Sequence, residues 1–349
     1  MAYTTINKHT AHFNTVLYSG NGSTQSITGV GFQPDLVWVK ERTATSEHQV
    51  VDAVRGYNKR LQTNSSGSQD VDSSPYNDFK SFDSDGFSIG NGGAVNENSQ
   101  TYASWNWKAN GAGSANTDGT INTTKTSANT TNGFSMITYS GTGSGGGTIG
   151  HGLGAKPKVF ICRHLNADGN NWQVWVDTTG NGTSDQRLLL NGTGSNYNNN
   201  HITFGTDTIT LPSSSGDAWS GSGKNYVGYA FIEKVGYSKF GTYIGNGNAD
   251  GAFAYCGFKP SLILIKNTND GNTNWQIYDN KRDGFNPQND LFRANLNSAE
   301  DAVDPIDIVS NGFKNKHNAT SQNSNTDVHF FMAWGQSLVG SNNIPCTAR

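Results

Sequence analysis

Three times in this chain an apolar run ends on a base: DLVWVK closes on Lys40, KVFICR on Arg163 and SLILIK on Lys266. A carboxylate follows each run, Asp52 in HQVVD, Asp177 in WQVWVD and Asp279 in WQIYD. A second base then recurs beside apolar residues, Arg60 in KRL, Arg187 in QRL and Arg293 in FRA. Acid and base repeated in every copy would grip a polar ligand. The same charges also fix how strands and loops pack, because partly buried ion pairs specify geometry without any ligand. Packing is the role expected here.

The tryptophans offer a different chemistry. Trp105 and Trp107, two apart, should share one strand face, whereas Trp172 and Trp175 should point to different ones, and Trp275 opens the third of the matching words. An exposed indole beside Asn and Asp stacks on a pyranose ring whose hydroxyls the amides bind. An indole in the core of a thin β-sandwich has the same local sequence. Core packing is the expectation, with glycan contact and intersubunit contact as alternatives.

Metal and enzyme chemistry find little purchase. His9 and His12 are three apart in an N-terminal arm, and the other histidines are scattered without ligand spacing. The acidic groups DVDSS, DSDG and DAVDPID would help to hold Ca2+, but none follows the twelve-residue EF-hand pattern, so ordinary Asx turns and no cofactor are expected. TGSGGGTIGHGLG lacks the Lys-Ser or Lys-Thr of a phosphate cradle, H-E-x-x-H does not occur, and the one G-x-S-x-G match, GFSIG over 86–90, runs into Asn-Gly-Gly and not into the helix that a nucleophile elbow needs. Paired carboxylates can still converge across loops, which keeps a polysaccharide depolymerase as the last alternative to a non-enzymatic protein. Aligned on the repeats, Cys162 and Cys256 fall at small apolar core positions, while Cys346 sits in a polar tail.

Strands must position all of these residues. Pro34, Pro157 and Pro260 head the three apolar runs about a hundred residues apart, the period of a small domain and not of a solenoid unit. Of 349 residues, 33% are hydrophobic, 15% charged and 43 are glycine, a composition that argues against helices and leaves enough aromatic residues for sheet cores. The fold class expected is all-β, as three tandem antiparallel β-sandwich modules of jelly-roll or lectin-like type. The boundaries are an N-terminal arm over 1–12, modules over 13–109, 132–235 and 236–340, and a C-terminal tail over 341–349. Residues 110–131, nearly all Gly, Ala, Ser, Asn and Thr, read as a linker or as a ribbon whose backbone needs sheet edges or partner chains. The net charge of −3 favours no nucleic acid partner, and the lack of a long apolar stretch favours no membrane insertion.

LYSGNGSTQSITGVGFQPDLVWVK, followed by SFDSDGFSIG and YASWNWKA, resembles modules common in structural proteins of marine and cyanobacterial tailed phages. The likeness is close from Val16 to Lys108 and looser afterwards, where SDGF becomes FGTD or SNGF and the WNW ending becomes AFI or MAW. The resemblance implies a virion component made in the host cytoplasm, a tail fibre or tail adaptor contributing to host attachment, with no catalytic residues. Capsid decoration and a free carbohydrate-binding protein are the alternatives. It implies as partners other phage tail or capsid proteins, host surface polysaccharide and further copies of the chain, as a homotrimer.

Overall fold

A computed structural model describes residues 4–71, 78–166 and 168–339. The chain is predominantly β, built from antiparallel ladders, and its helices are single turns such as Gly93–Asn96 and Thr320–Asn323. The apolar runs after the three prolines become the strands Leu36–Glu41, Val159–His164 and Lys259–Asn267, buried along almost their whole length. Runs rich in Val, Ile, Leu and Trp suit strands covered on both faces.

One pairing order recurs. In the first repeat Phe13–Ser19, Thr101–Trp107, Leu36–Glu41, Gln49–Asp52 and Gly56–Leu61 lie side by side, and Gln25–Thr28, Gly86–Ile89 and Phe79–Asp83 form a smaller sheet. In the second, Phe134–Ser140, Asn225–Phe231, Val159–His164, Gln173–Val176 and Gln186–Leu189 take the same order, with Thr148–Gly150, Thr208–Thr210 and Thr203–Phe204 as the smaller sheet. In the third, the same succession begins with Ser238–Ile244, Val328–Gln336 and Lys259–Asn267. It continues without a break through Gln276–Asp279, Gln288–Arg293, Asp301–Val309 and Gly312–Asn315 to Phe253–Tyr255, a nearly closed barrel. The tight turn before Gly86 shows why SDGF recurs as SNGF: a Cβ at Gly86 would lie 1.9 Å from Ile27 O, and one at Gly312 would lie 2.1 Å from Ala254 O.

Because side chains alternate along a strand, each central strand serves two cores. Val37 and Val39 enter the first repeat's own core, and Leu36 and Trp38 enter a core common to all three repeats. Phe160 and Cys162 divide from Val159 and Ile161 in the same way, as do Ile263 and Ile265 from Leu262 and Leu264. The common core takes strands from every repeat, and Ile6 of the N-terminal arm joins it.

Residues 110–131 are a ribbon whose backbone is held by a sheet edge. Ser114–Asn116 pairs with Thr123–Asn129, which pairs with Phe134–Ser140 of the second repeat. In the arm, His9 N–H donates to Gln336 Oε1 at 2.8 Å, so the chain's start is tied to the third repeat. Cys162 and Cys256 are buried and unpaired, in the second and third cores. Cys346 and the tail over 341–349 lie outside the described residues.

Candidate functional site

Strand register decides which recurring residues are true counterparts. Leu36 faces Asp52, Val159 faces Val176 and Leu262 faces Asp279. Val50 faces Leu61, Val174 faces Leu188 and Ile277 faces Phe292. Trp38, Ile161 and Leu264 face Trp105, Tyr229 and Met332. The counterpart of Asp52 and Asp279 is therefore Val176. Asp177 lies one residue further on, because WQVWVD has one more residue than HQVVD or WQIYD. Arg60 and Arg187 correspond, but Arg293 lies two residues beyond their position and matches Gln62 and Leu189.

These counterparts meet at three seams in cyclic order. His48 Nε2 of the first repeat bonds to Arg293 O of the third at 3.1 Å. Trp275 Nε1–H of the third donates to Leu189 O of the second at 2.8 Å, and Trp172 Nε1–H of the second donates to Gln62 O of the first at 2.9 Å. Trp38 Nε1–H donates to His48 Nδ1 at 2.9 Å, so that nitrogen is the acceptor and Nε2 carries the proton. Burial, then the charge of Lys40, pushes the His48 pKa down to about 3, so the ring stays neutral. The backbone N–H groups of His48, Trp172 and Trp275 are each received by a side-chain oxygen, of Asn64, Asn191 and Asn295, at 3.0, 2.9 and 2.9 Å. Sequence reading missed this trio. The signal was there, an Asn three residues after the apolar Leu61, Leu188 and Phe292 in LQTN, LLLN and FRAN.

The carboxylates add a second ring of contacts. Asp52 Oδ2 receives Arg55 Nε–H and Tyr229 O–H, both at 2.6 Å, the tyrosine coming from the second repeat. Asp279 Oδ2 receives Arg282 Nε–H at 2.6 Å and Trp105 Nε1–H of the first repeat at 3.1 Å. Both pairs are out of solvent, with side chains 0–2% exposed. Burial alone would lower both guanidinium pKa values, but the attraction of Asp52 raises Arg55, and that of Asp279 with Glu300 raises Arg282. At the third seam Val176 and Met332 stand in the same register, and both belong to the common core. Asp177 instead accepts N–H bonds from Gly180 and Gly182 and shapes its own loop.

Lys40, Arg163 and Lys266 are all fully buried. Lys40 Nζ donates to Glu41 O at 2.7 Å and lies 5.2 Å from the centre of the Phe292 ring of the third repeat. Lys266 Nζ donates to Asn267 O at 2.6 Å and Thr273 Oγ1 at 3.0 Å. Burial pushes both ammonium groups down to about 8. Arg163 Nη2–H donates to Gly67 O of the first repeat, and burial lowers its pKa to about 10. Arg60 pairs with Asp70 and Asp78, Arg187 bonds to Gln173 Oε1 at 3.0 Å, and Arg293 pairs with Asp301.

All five tryptophans singled out in the sequence are core residues. Trp105, Trp107, Trp172 and Trp275 lie in the common core and Trp175 in the second repeat's own, each at most 3% exposed. None presents a ring face to an external sugar, which corrects the glycan-contact reading for these positions. Trp107, Trp172, Trp275 and Trp334, with Ile161, Leu264 and other residues of all three repeats, enclose an apolar cavity of about 50 Å³. In DSDG and DAVDPID, Asp85 accepts Gly29 and Gly31 N–H, Asp304 pairs with His317 and Asp307 with Lys316. In DVDSS, Asp70 pairs with Arg60, and residues 72–74 lie outside the described residues. No group of three His, Cys, Asp or Glu able to hold a metal occurs among the described residues.

No curated protein and no solved structure matches the chain. Residues 8–337 match a family model described as a domain of unknown function, DUF7483, and the chain belongs to that family.

Proposed function

We propose that this chain is a non-enzymatic structural component of a tailed phage, a tail fibre or tail adaptor contributing to host attachment. Each repeat is read as an antiparallel β-sandwich module, one face of its larger sheet packed into the core common to all three. The observation that supports the reading is the cyclic set of seam bonds, from His48 to Arg293, Trp275 to Leu189 and Trp172 to Gln62. Of the recurring polar positions Lys40, Asp52, Arg163 and Asp279 reach into another module, and the remaining five are engaged within their own. On this reading one chain does the work of three subunits, and a monomer suits a place of threefold symmetry. The phage identity rests on the sequence resemblance.

Antibody raised against the purified chain should decorate the tails of gradient-purified particles under the electron microscope. Label confined to heads would move the assignment to capsid decoration. A chain found only in the soluble fraction of the lysate would overturn the virion reading.

A further inference from the structure

We infer that the third repeat carries a binding cleft for an acidic saccharide, formed by the loop between Gln276–Asp279 and Gln288–Arg293. The corresponding connection in the first repeat, between Gln49–Asp52 and Gly56–Leu61, is only the residues 53–55. In the third repeat it spans 280–287 and borders a cleft of about 560 Å³ lined by Lys259, Asn280, Lys281, Phe285, Asn286 and Gln288. Small-molecule sites commonly enclose about 300–1,000 Å³.

Phe285 is 74% exposed, more than any other large apolar side chain among the described residues. An apolar ring face held in water is stabilised by covering it with another apolar face, and the C–H face of a pyranose is of matching size. Two ammonium groups and no carboxylate line the cleft. Asp283, inside the loop, is turned toward backbone and accepts N–H bonds from Asn289 at 2.6 Å and Asp290 at 2.9 Å. A negatively charged ligand therefore meets attraction without a nearby lining acid to oppose it.

The amides separate a sugar from other anions. Asn286 is engaged with Ile308 O and N–H. Asn280 Oδ1 and Gln288 Oε1 receive no hydrogen bond, although Gln288 is only 3% exposed. Both oxygens are covered in the free protein, and a ligand's donor reaches them only once the amide turns, which for Gln288 exchanges the 2.6 Å bond from Nε2–H to Phe285 O. Hydroxyl groups supply such donors, whereas a fully ionised phosphate supplies only acceptors. A carboxylate-bearing saccharide combines the stacking face, the hydroxyls and the charge.

The inference rests on the attachment role for the source of the sugar, a host surface polysaccharide. Its test is independent of particle labelling. Calorimetric titration of the full-length chain with tetramers of galacturonate, alginate and hyaluronan should show binding to at least one, and weaker binding to its methyl-esterified form. Phe285→Ala should weaken that binding by at least about tenfold while leaving the melting temperature unchanged, as expected for an exposed side chain. Lys281→Gln should narrow the gap between acid and ester. Absence of binding to all three acids, equal binding of acid and ester, or wild-type affinity in Phe285→Ala would overturn the assignment, and tail labelling of virions would still stand.

Discussion

Two seams of this molecule hold a buried carboxylate against a guanidinium, and the third holds Val176 and Met332 at the corresponding places. Between the first and second repeats the set is Asp52, Arg55 and Tyr229; between the first and third it is Asp279, Arg282 and Trp105. At the remaining seam the residue three beyond Val176 is Thr179, which is exposed. Acid, base and ring donor are kept together or replaced together. A lone survivor would be a buried charge or donor without its partner, which costs several kcal/mol, whereas a full apolar set costs little. The comparison teaches that the polar sets choose geometry at two seams and that apolar packing suffices at the third.

The sharpest way to break that comparison is to remove one partner only. Asp279→Ala leaves Arg282 buried beside Ile277 O with Glu300 as its remaining acid, and Asp52→Ala leaves Arg55 with no acid paired to it among the described residues. Each should cost about 3–5 kcal/mol in urea unfolding, with Asp52→Ala the larger. A loss below about 1 kcal/mol in both would show that the pairs contribute nothing to the seams.

Next in size is a pH effect. Burial holds Lys40 and Lys266 at about 8 in the folded chain. In the unfolded chain an ordinary lysine titrates near 10.4, so the folded form loses its protons first. The destabilisation is full below pH 8 and fades as pH rises toward the unfolded value, so the lysines' contribution to stability should climb between pH 8 and 9.5. The rise should be on the order of 1–2 kcal/mol per lysine. Arg163, held at about 10, begins to lose its proton only at the top of this range and adds about 0.2 kcal/mol. Burial also lifts the Cys162 and Cys256 thiols far above their ordinary range, so they ionise first in the unfolded chain and lower stability over the same interval. Unfolding of the double variant Lys40→Met, Lys266→Met should therefore show stability falling with pH; a slope unchanged from wild type would assign the titration to other groups.

A smaller effect is expected from the ring of indole donors. Trp275→Phe keeps most of the packing and removes the bond to Leu189 O, at a cost of about 1–2 kcal/mol in thermal or urea unfolding. The same change at Trp172 should cost a similar amount, since its bond to Gln62 O has the same place in the cycle. Unequal losses would mean that the seams are less alike than their registers.

The smallest effect should come from the largest replacement. Asp52→Val, Arg55→Thr and Tyr229→Met together rebuild the first seam in the style of the third. The triple variant should lie within about 1 kcal/mol of wild type, far above the single Asp52→Ala variant, when both are compared by urea midpoint. A triple variant as unstable as the single one would show that the polar set cannot be exchanged as a unit.

Much of the fold was legible in the residues. The repeated apolar words after Pro34, Pro157 and Pro260 became the central strands, and the Gly-rich ribbon over 110–131 found a sheet edge to satisfy its backbone. The candidate positions were harder. Lys40, Arg163 and Lys266 do recur in register with Ala103, Val227 and Phe330. Asp177 and Arg293 look like counterparts of Asp52 and Arg60 in one-dimensional alignment and are not. One extra residue in WQVWVD moves the acid from the shared face to the strand's end, and only cross-strand pairing reveals that shift.

The sequence by itself determined a β protein of three repeats and the alternation that gives each strand two faces, because side-chain period and residue type are local properties. Tertiary structure alone decided that both faces are covered, one by the repeat's own smaller sheet or barrel wall and the other by its two neighbours. A run such as DLVWVK is apolar on both sides and carries no mark of which partner covers which side. It also decided that His48 serves where Trp172 and Trp275 do. A ring N–H aimed at a carbonyl across a seam is set by position, and imidazole and indole can both supply it.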